Sequence, residues 1–404
     1  MGSEWRWRTL GELTDNFDSR RVPVKEPDRR PGEYPYYGDS GVVDHVDQYL
    51  YDGEYLLIAE DGENLKTRTT PVAFLARGRF WVNNHAHVVR GNSQADTRFL
   101  MYALAAADIN GYLSGSAMPK LTQASLNRIP LFVPELAEQR RVADILSALD
   151  DKIELDRRMS QTLESMARAL FKSWFVDFDP VRAKAQGRDT GLPHALADLF
   201  PDSFVDSQLG PIPIGWSALT LGRLVEVNPS RTLRAGTPAP YLDMANVPTS
   251  GHSPDTVVGR VFSSGSRFMN GDTLIARITP CLENGKASFV DFLTEGEVGW
   301  GSTEFLVLRP RSPVPPEFAY CLARSEPFRE YAIQSMSGTS GRQRVSTEAV
   351  CRYPLVQPPD SVAVAFGAAS TLLLGRAKLA DDECHMLSLQ RDGLLPRLMS
   401  QRVA

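Results

Sequence analysis

Histidine and cysteine are scarce in this chain: six and four in 404 residues. So few histidines leave little room for imidazole acid–base chemistry, though carboxylates stay available for it. The cysteines Cys281, Cys321, Cys351 and Cys384 all fall in the second half. Their spacings fit neither a zinc site nor a stapled secreted scaffold, so a reduced, cytoplasmic protein is expected. No run of eighteen apolar residues occurs, and no membrane span is expected; Met1–Trp7 carries no apolar signal core. There is no glycine-rich dinucleotide or S-adenosylmethionine loop and no phosphate-binding loop ending in Gly-Lys-Ser/Thr. The Asn/Asp-Pro-Pro-Tyr/Phe tetrapeptide of amino-methyltransferases is absent too, since Pro315-Pro316 and Pro358-Pro359 have the wrong neighbours. No catalytic residue, metal ligand or cofactor is therefore assigned. His85 and His87 share a strand face, but no convincing third and fourth ligand accompanies them. An excess of positive charge is missing as well. The net charge is −5, divided as −2 over residues 1–134, −4 over 135–209, +1 over 210–358 and zero over 359–404. A nucleic-acid role must therefore rest on local clusters.

What the chain does have is a long internal repeat. Trp5-Arg-Trp-Arg-Thr9-Leu10-Gly11-Glu-Leu13 returns 211 residues later as Trp216-Ser-Ala-Leu-Thr220-Leu221-Gly222-Arg-Leu224. Gly53-Glu54-Tyr-Leu56 matches Gly271-Asp272-Thr-Leu274 at an offset of 218. Lys120-Leu-Thr-Gln-Ala-Ser-Leu126-Asn-Arg128-Ile-Pro130-Leu131-Phe-Val-Pro134 aligns without a gap, at 224, with Arg344-Val-Ser-Thr-Glu-Ala-Val350-Cys-Arg352-Tyr-Pro354-Leu355-Val-Gln-Pro358. Just upstream, Ser114-Gly115-Ser116 mirrors Ser337-Gly338-Thr339. The interiors, roughly 14–113 and 225–336, look unlike each other. A repeated frame with differing contents suits a protein that meets like partners at its frame and reads different things with its interiors.

A helical pattern follows each copy. From about Glu135 to Phe175 the apolar residues step by three and four, with Leu149, Ile153, Leu163, Leu170 and Trp174 on the seam and polar Asp156 and Ser160 interrupting it. About 40 residues make a rod of roughly 60 Å, and an amphipathic rod needs a partner. The repeat offset supplies one in 359–404, with Leu373, Leu387 and Leu394 as its seam. Gly367, Gly375 and Gly393 lower its propensity and Pro396 disrupts its end. The expected arrangement is two antiparallel, coiled-coil-like helices; the alternative is that each helix packs on its own domain alone. The chain divides into a first globular domain (1–134), a long helix (135–177), a linker with some structure (178–215), a second globular domain (216–358) and a second long helix (359–404). Short apolar runs between turn signals, such as Tyr55–Ile58 and Glu304–Leu308, make both domains strand-rich. The fold class is α/β (α+β).

Polar segments suited to phosphates and base edges are the candidate DNA contacts. Tyr37 and Ser40 lie in Tyr34-Pro-Tyr36-Tyr37-Gly38-Asp39-Ser40-Gly41, which reads equally well as a turn over a core tyrosine. Lys66 and Arg68 lie in Asn64–Thr70, equally a solvated loop. Asn84 and His85 are further candidates in the first domain. Gly115, Ser116 and Lys120 occupy the place that Gly338, Thr339, Arg342, Gln343 and Arg344 take in the second copy. The glycines there let backbone N–H groups approach a phosphate. Asn246, Arg277 and Lys286 complete the set in the second domain.

One stretch carries a resemblance. Leu170-Phe-Lys-Ser-Trp174-Phe-Val-Asp-Phe-Asp-Pro180-Val-Arg182-Ala-Lys184, with Leu199-Phe-Pro201-Asp202 and Leu209-Gly-Pro-Ile-Pro213-Ile-Gly-Trp216, resembles the central region of specificity subunits of type I restriction–modification systems. Pro130–Pro134, Glu138-Gln139-Arg140 and Asn83-Asn84-His85-Ala-His87-Val resemble further parts of that family. The second copy departs from it, with Pro358-Pro359-Asp360 and no following Glu-Gln pair. The resemblance implies two target-recognition domains, each reading half of a split target in double-stranded DNA. It implies helices that set the spacer between the halves. It implies assembly with two methyltransferase subunits and with restriction–translocase subunits, which carry the S-adenosylmethionine, ATP and Mg, while this chain is non-catalytic. The other readings are a self-contained methyltransferase or nuclease, and an interaction scaffold with no DNA role.

Overall fold

A computed structural model describes residues 4–115, 118–339 and 341–400. They form two compact units, 1–154 with 385–404, and 155–384. The unit boundaries fall inside both long helices, Leu136–Phe175 and Asp360–Leu398, whereas the sequence divides the chain at the helix ends.

In the first unit, strand Arg6–Thr9 pairs antiparallel with Pro130–Val133, bringing Thr9 opposite Pro130. The next turn, Leu10–Leu13, is helical. Its start is fixed where the Thr9 N–H donates to the Glu12 carboxylate at 2.7 Å. A six-stranded sheet follows in the order Thr14–Asn16, Ala86–Gly91, Tyr51–Ala59, Ala73–Val82, Pro31–Tyr37, Val42–Val46. Alternation along Tyr51–Ala59 divides the core. Leu56 and Ile58 face a cluster with Val89, Phe99 and Leu100, while Tyr55 and Leu57 face one with Tyr51, Phe80 and Val88. Phe99 and Leu100 belong to helix Thr97–Ala106, started by the Asp96 carboxylate accepting from the Arg98 and Phe99 N–H groups.

The second unit repeats this plan. Ser217–Thr220 pairs with Pro354–Gln357, bringing Thr220 opposite Pro354. The strands form two four-stranded sheets: Val225–Val227, Phe305–Pro310, Thr273–Ala276, Ala287–Phe289; and Val258–Val261, Pro238–Leu242, Gly299–Gly301, Ser266–Phe268. The interiors, unlike in sequence, are alike in topology. Among the described residues each has one parallel strand pairing, with Tyr36 opposite Trp81 in the first unit and Tyr241 opposite Trp300 in the second. Each tyrosine ring carries an arginine, Arg29 at 4.5 Å and Arg260 at 4.4 Å. The ladders also correct one alignment. Leu57-Ile58-Ala59 pairs with Val88, His87 and Ala86 as Leu274-Ile275-Ala276 pairs with Val307, Leu306 and Phe305. The offset there is 217, not 218.

Residues 178–215 are no loose connection. They form helix Asp179–Ala185 and the hairpin Phe204–Ser207/Gly210–Pro213, and Phe178, Val181, Phe200 and Ile212 are buried with Trp174 and Trp216.

The helices run antiparallel within each unit. In the second, Phe366 touches Phe171, Trp174 and Phe175, and the Arg376 guanidinium reaches the Met159 sulfur at 3.8 Å. In the first, Arg391 bonds Asp150 at 2.8 Å, and Leu394 and Leu398 pack against the cluster holding Val142 and Leu146. The seam differs from the expected one. Ile153 and Trp174 are buried, but Leu149, Leu163, Leu170, Leu373, Leu387 and Leu394 are half-buried. The buried stripe instead carries Asp156, Ser160 and Glu164 on the first helix, and Phe366, Ser370, Leu374 and Ala377 on the second. The residues taken as interruptions are its middle.

The second helix also runs unbroken through Gly367, Gly375 and Gly393, with Pro396 near its end. At Gly367 packing replaces propensity: an added Cβ would lie 2.9 Å from Pro315. The first helix is anchored differently. The buried Gln139 amide donates to the Gln94 and Pro134 carbonyls at 3.1 and 2.9 Å and accepts from the Asp96 N–H at 3.0 Å. Ala363 stands at that place in the second copy. An eighteen-residue window of the second helix reaches a mean hydropathy of 1.4, enough by composition for a membrane span and against the expectation of none. Its Val362, Phe366 and Leu374 are buried in the domain core. Leu374 is 2% exposed, so Leu374→Ala should cost about 2–5 kcal/mol in denaturant unfolding, and Leu373→Ala roughly half that or less; equal losses would restore the sequence-derived seam.

Candidate nucleic-acid interface

In both units the same backbone hydrogen bonds tie three distant segments into one loop platform. In the first, the Glu60 N–H donates to the His85 carbonyl at 2.9 Å, and the Leu121 N–H to the Glu60 carbonyl at 2.7 Å. In the second, the Arg277 N–H donates to the Glu304 carbonyl and the Val345 N–H to the Arg277 carbonyl, each at 2.9 Å. Ser114 and Lys120 exchange N–H···O bonds at 2.8 and 2.7 Å, and Ser337 and Arg344 do so at 3.0 and 2.9 Å. Each exchange closes a loop that needs left-handed glycine, Gly115 at φ +86°, and Gly338 and Gly341 at +124° and +78°.

On this common backbone the side chains differ. Glu60 stands where Arg277 does, His85 where Glu304 does, and Lys120 where Arg344 does. In the first unit Glu60 is taken by Arg21 at 2.7 Å and Lys120 at 3.3 Å. Burial disfavours its charge, but the Arg21 and Lys120 hydrogen bonds and the nearby charges of His87 and Arg21 together outweigh it, and the carboxyl lies below its ordinary pKa. In the second unit the Arg344 fork grips Glu304, with Nε 2.9 and Nη2 2.7 Å from its oxygens. That hydrogen bond holds Glu304 below the usual carboxylate value.

The structure brings some predicted contacts onto these platforms and places others elsewhere. Asn84 and His85 are exposed in the turn before Ala86–Gly91, with the His85 Nδ1 3.0 Å from Asp61. Gly115, Lys120, Gly338, Thr339, Arg342, Gln343 and Arg344 lie in the closing loops; Ser116 lies outside the described residues. Ser40 is exposed at the tip between Pro31–Tyr37 and Val42–Val46, and Lys66 on the turn Asn64–Thr67. Tyr37 packs edge-on against Phe80 at 5.6 Å, and burial raises its pKa. Arg68 donates to the Ala105 and Ala107 carbonyls at 3.1 and 2.7 Å, satisfying the end of helix Thr97–Ala106. Lys286 donates to the Met244 and Ala245 carbonyls at 2.7 and 3.1 Å and so orders the turn holding Asn246. His87 is buried, hydrogen-bonded to Asp18 at 2.6 Å and the Leu121 carbonyl at 2.7 Å; no metal-binding cluster occurs among the described residues. Sequence reasoning missed Glu60 and Glu304. The repeated Leu-Ile-Ala before Glu60 and Arg277 was the available signal, hidden by the one-residue offset.

The comparisons with known proteins agree with this plan. Residues 2–165 match the family model of the type I restriction modification DNA specificity domain. A candidate type I restriction enzyme specificity subunit of Haemophilus influenzae is 40% identical over 149 residues, 37% of this chain and 38% of that one. The HindI specificity subunit of the same organism is 34% identical over 220 residues, 49% and 46% of the two chains. The chain thus spans less than half the length of these two relatives. The crystal structure of a type I restriction–modification S subunit from M. genitalium superposes with a TM-score of 0.62 over 99% of this chain and 97% of that one, at 16% identity. The fold is therefore that of an S subunit. Over residues 2–165 the chain carries the DNA specificity domain of type I restriction–modification systems, and it is similar to specificity subunits of such systems.

One polar cluster stands apart from the platforms. His252 is fully buried, the Ser253 hydroxyl lies 3.2 Å from its Nε2, and Ser253 donates to Asp381 at 3.0 Å. Serine, histidine and carboxylate suggest nucleophilic catalysis, but the imidazole is closed to any substrate. The cluster joins the domain to the second helix. Burial raises the pKa of Asp291, 3.7 Å from His252, to about 6, against the opposing charges of His252 and Lys378. A raised carboxyl adds stability below its unfolded pKa near 4 and loses it as pH rises through about 6. That difference corresponds to on the order of 3 kcal/mol. Asp291→Asn should therefore gain stability over the parent at pH 7.5 and lose that advantage at pH 5 in urea titrations; parallel profiles would contradict this.

Proposed function

We propose that this chain is the sequence reader of a DNA-modifying complex. Each globular domain reads one half of a split target in duplex DNA, and partner subunits perform methylation and cleavage with their own S-adenosylmethionine, ATP and Mg. The observation that carries this reading is the pair of equivalent loop platforms with unlike side chains. A fixed backbone positions each reader, and different side chains give each its own specificity. Lysines and arginines hold phosphates, and the lengths of the two helices, 40 and 39 residues, set the spacer between half-sites. The proposed setting is the cytoplasm.

Docking of methyltransferase subunits is supported by the second helix. Val364, Leu372 and Leu379 repeat at seven to eight residues on its outer face and are 57%, 75% and 58% exposed. That is an apolar stripe that no described residue of this chain covers. Co-expressed with a methyltransferase subunit, the chain should yield a complex that methylates an asymmetric, bipartite motif with a fixed gap. The double variant Leu372→Asp/Leu379→Asp should fold as the parent does yet fail to co-purify with that subunit. Methyl transfer by the chain alone, or a contiguous motif, would overturn this reading.

A further inference from the structure

We infer that Arg277 is the guanine-reading residue of the second domain, an inference that rests on the DNA-reading function proposed above. The buried or half-buried cations of this domain are mostly engaged. Arg231 and Arg309 bind Asp272 at 3.1 and 2.5 Å. Arg324 donates to the Thr249, Gly285 and Ala287 carbonyls, each at 2.8 Å. Arg344 holds Glu304 and Lys286 holds two carbonyls. Arg277 is the exception on the platform. Its Nε is buried without a hydrogen-bond partner, and no described residue takes the rest of its guanidinium. Its charge acts on Glu304, whose oxygens Arg344 already holds, and on Glu348, without a hydrogen bond to either.

An exposed guanidinium on a loop suits a phosphate, and Arg342 is exposed on the closing loop. Arg277 is different. Its backbone is pinned on both sides, by the bonds to Glu304 and Val345, and its side chain is half-buried. That leaves a rigid, planar fork of donors, which is what recognition of guanine O6 and N7 in the major groove requires. The repeat adds an independent argument. A residue that maintains the frame should be alike in both copies, as Thr9 and Thr220 or Pro130 and Pro354 are. A residue that reads sequence should differ. At this position the charge reverses from Glu60 to Arg277 on an unchanged backbone, and Glu60, locked by Arg21 and Lys120, is closed to the same use.

The test is single-molecule sequencing of DNA methylated by the co-expressed complex, together with binding to duplexes that vary one half-site at a time. Arg277→Ala should relax one guanine position of the half-site read by the second domain, with roughly a ten- to hundred-fold loss of discrimination there, and leave the other half-site unchanged. Arg277→Lys keeps the charge but not the fork; it should retain affinity and lose the same discrimination, which guards against a folding defect in the alanine variant. Arg342→Ala should weaken binding to all sequences alike and flatten the salt dependence. An unchanged motif in both Arg277 variants, or a uniform loss across sequences, overturns the assignment alone. A parent complex with no sequence preference overturns the function on which it rests, and the assignment with it.

Discussion

Each half of this protein depends on a short ladder that closes a domain on itself. Arg6–Thr9 against Pro130–Val133, and Ser217–Thr220 against Pro354–Gln357, join segments more than a hundred residues apart. The cost of closing such a loop grows only slowly with its length, so the interior is free to vary as long as both ends still meet. A single turn of helix follows each first strand, anchored by the Leu10 N–H on the Ile129 carbonyl and the Leu221 N–H on the Tyr353 carbonyl. A long helix starts within a few residues of each second strand. The ladder therefore fixes the helix and the loop platform together.

This arrangement explains how one chain can repeat its frame and yet present two different sets of side chains. The glycines that pack closely are frame: an added Cβ at Gly11 meets Asn127 at 3.0 Å, and one at Gly222 meets Cys351 at 3.1 Å. The platform backbones are frame as well. Variation is left to side chains standing on them, where a reversal from acid to base alters no backbone hydrogen bond. The cations that tie each domain together, Arg68, Lys286 and Arg324, end on carbonyl oxygens, so they stabilise turns without regard to the surrounding sequence.

Much of this was legible in the sequence. The repeat and the two long helices followed from identities at fixed offsets and from three-and-four spacing. The seam was less legible, because the pattern rewards large apolar residues. Here the buried stripe holds Asp156, Ser160, Glu164, Ser370 and Ala377, while Leu372 and Leu379 face outward. Glycine content misjudged the second helix, since Gly367 serves a close approach to Pro315. Arg68 was legible as a cation but not as a helix-end clamp, because its partners are carbonyls nearly forty residues away. The shared topology of the interiors left almost no trace beyond Leu-Ile-Ala.

The central claim is that frame and reader are separable. Its most direct measurement is the methylation motif of a chimaera in which residues 1–134 are replaced by the corresponding domain of a relative with a different target, co-expressed with the same methyltransferase subunit. The account predicts that one half-site changes while the other half-site and the spacer stay as they were. A change in both half-sites, or in the spacer, would contradict it.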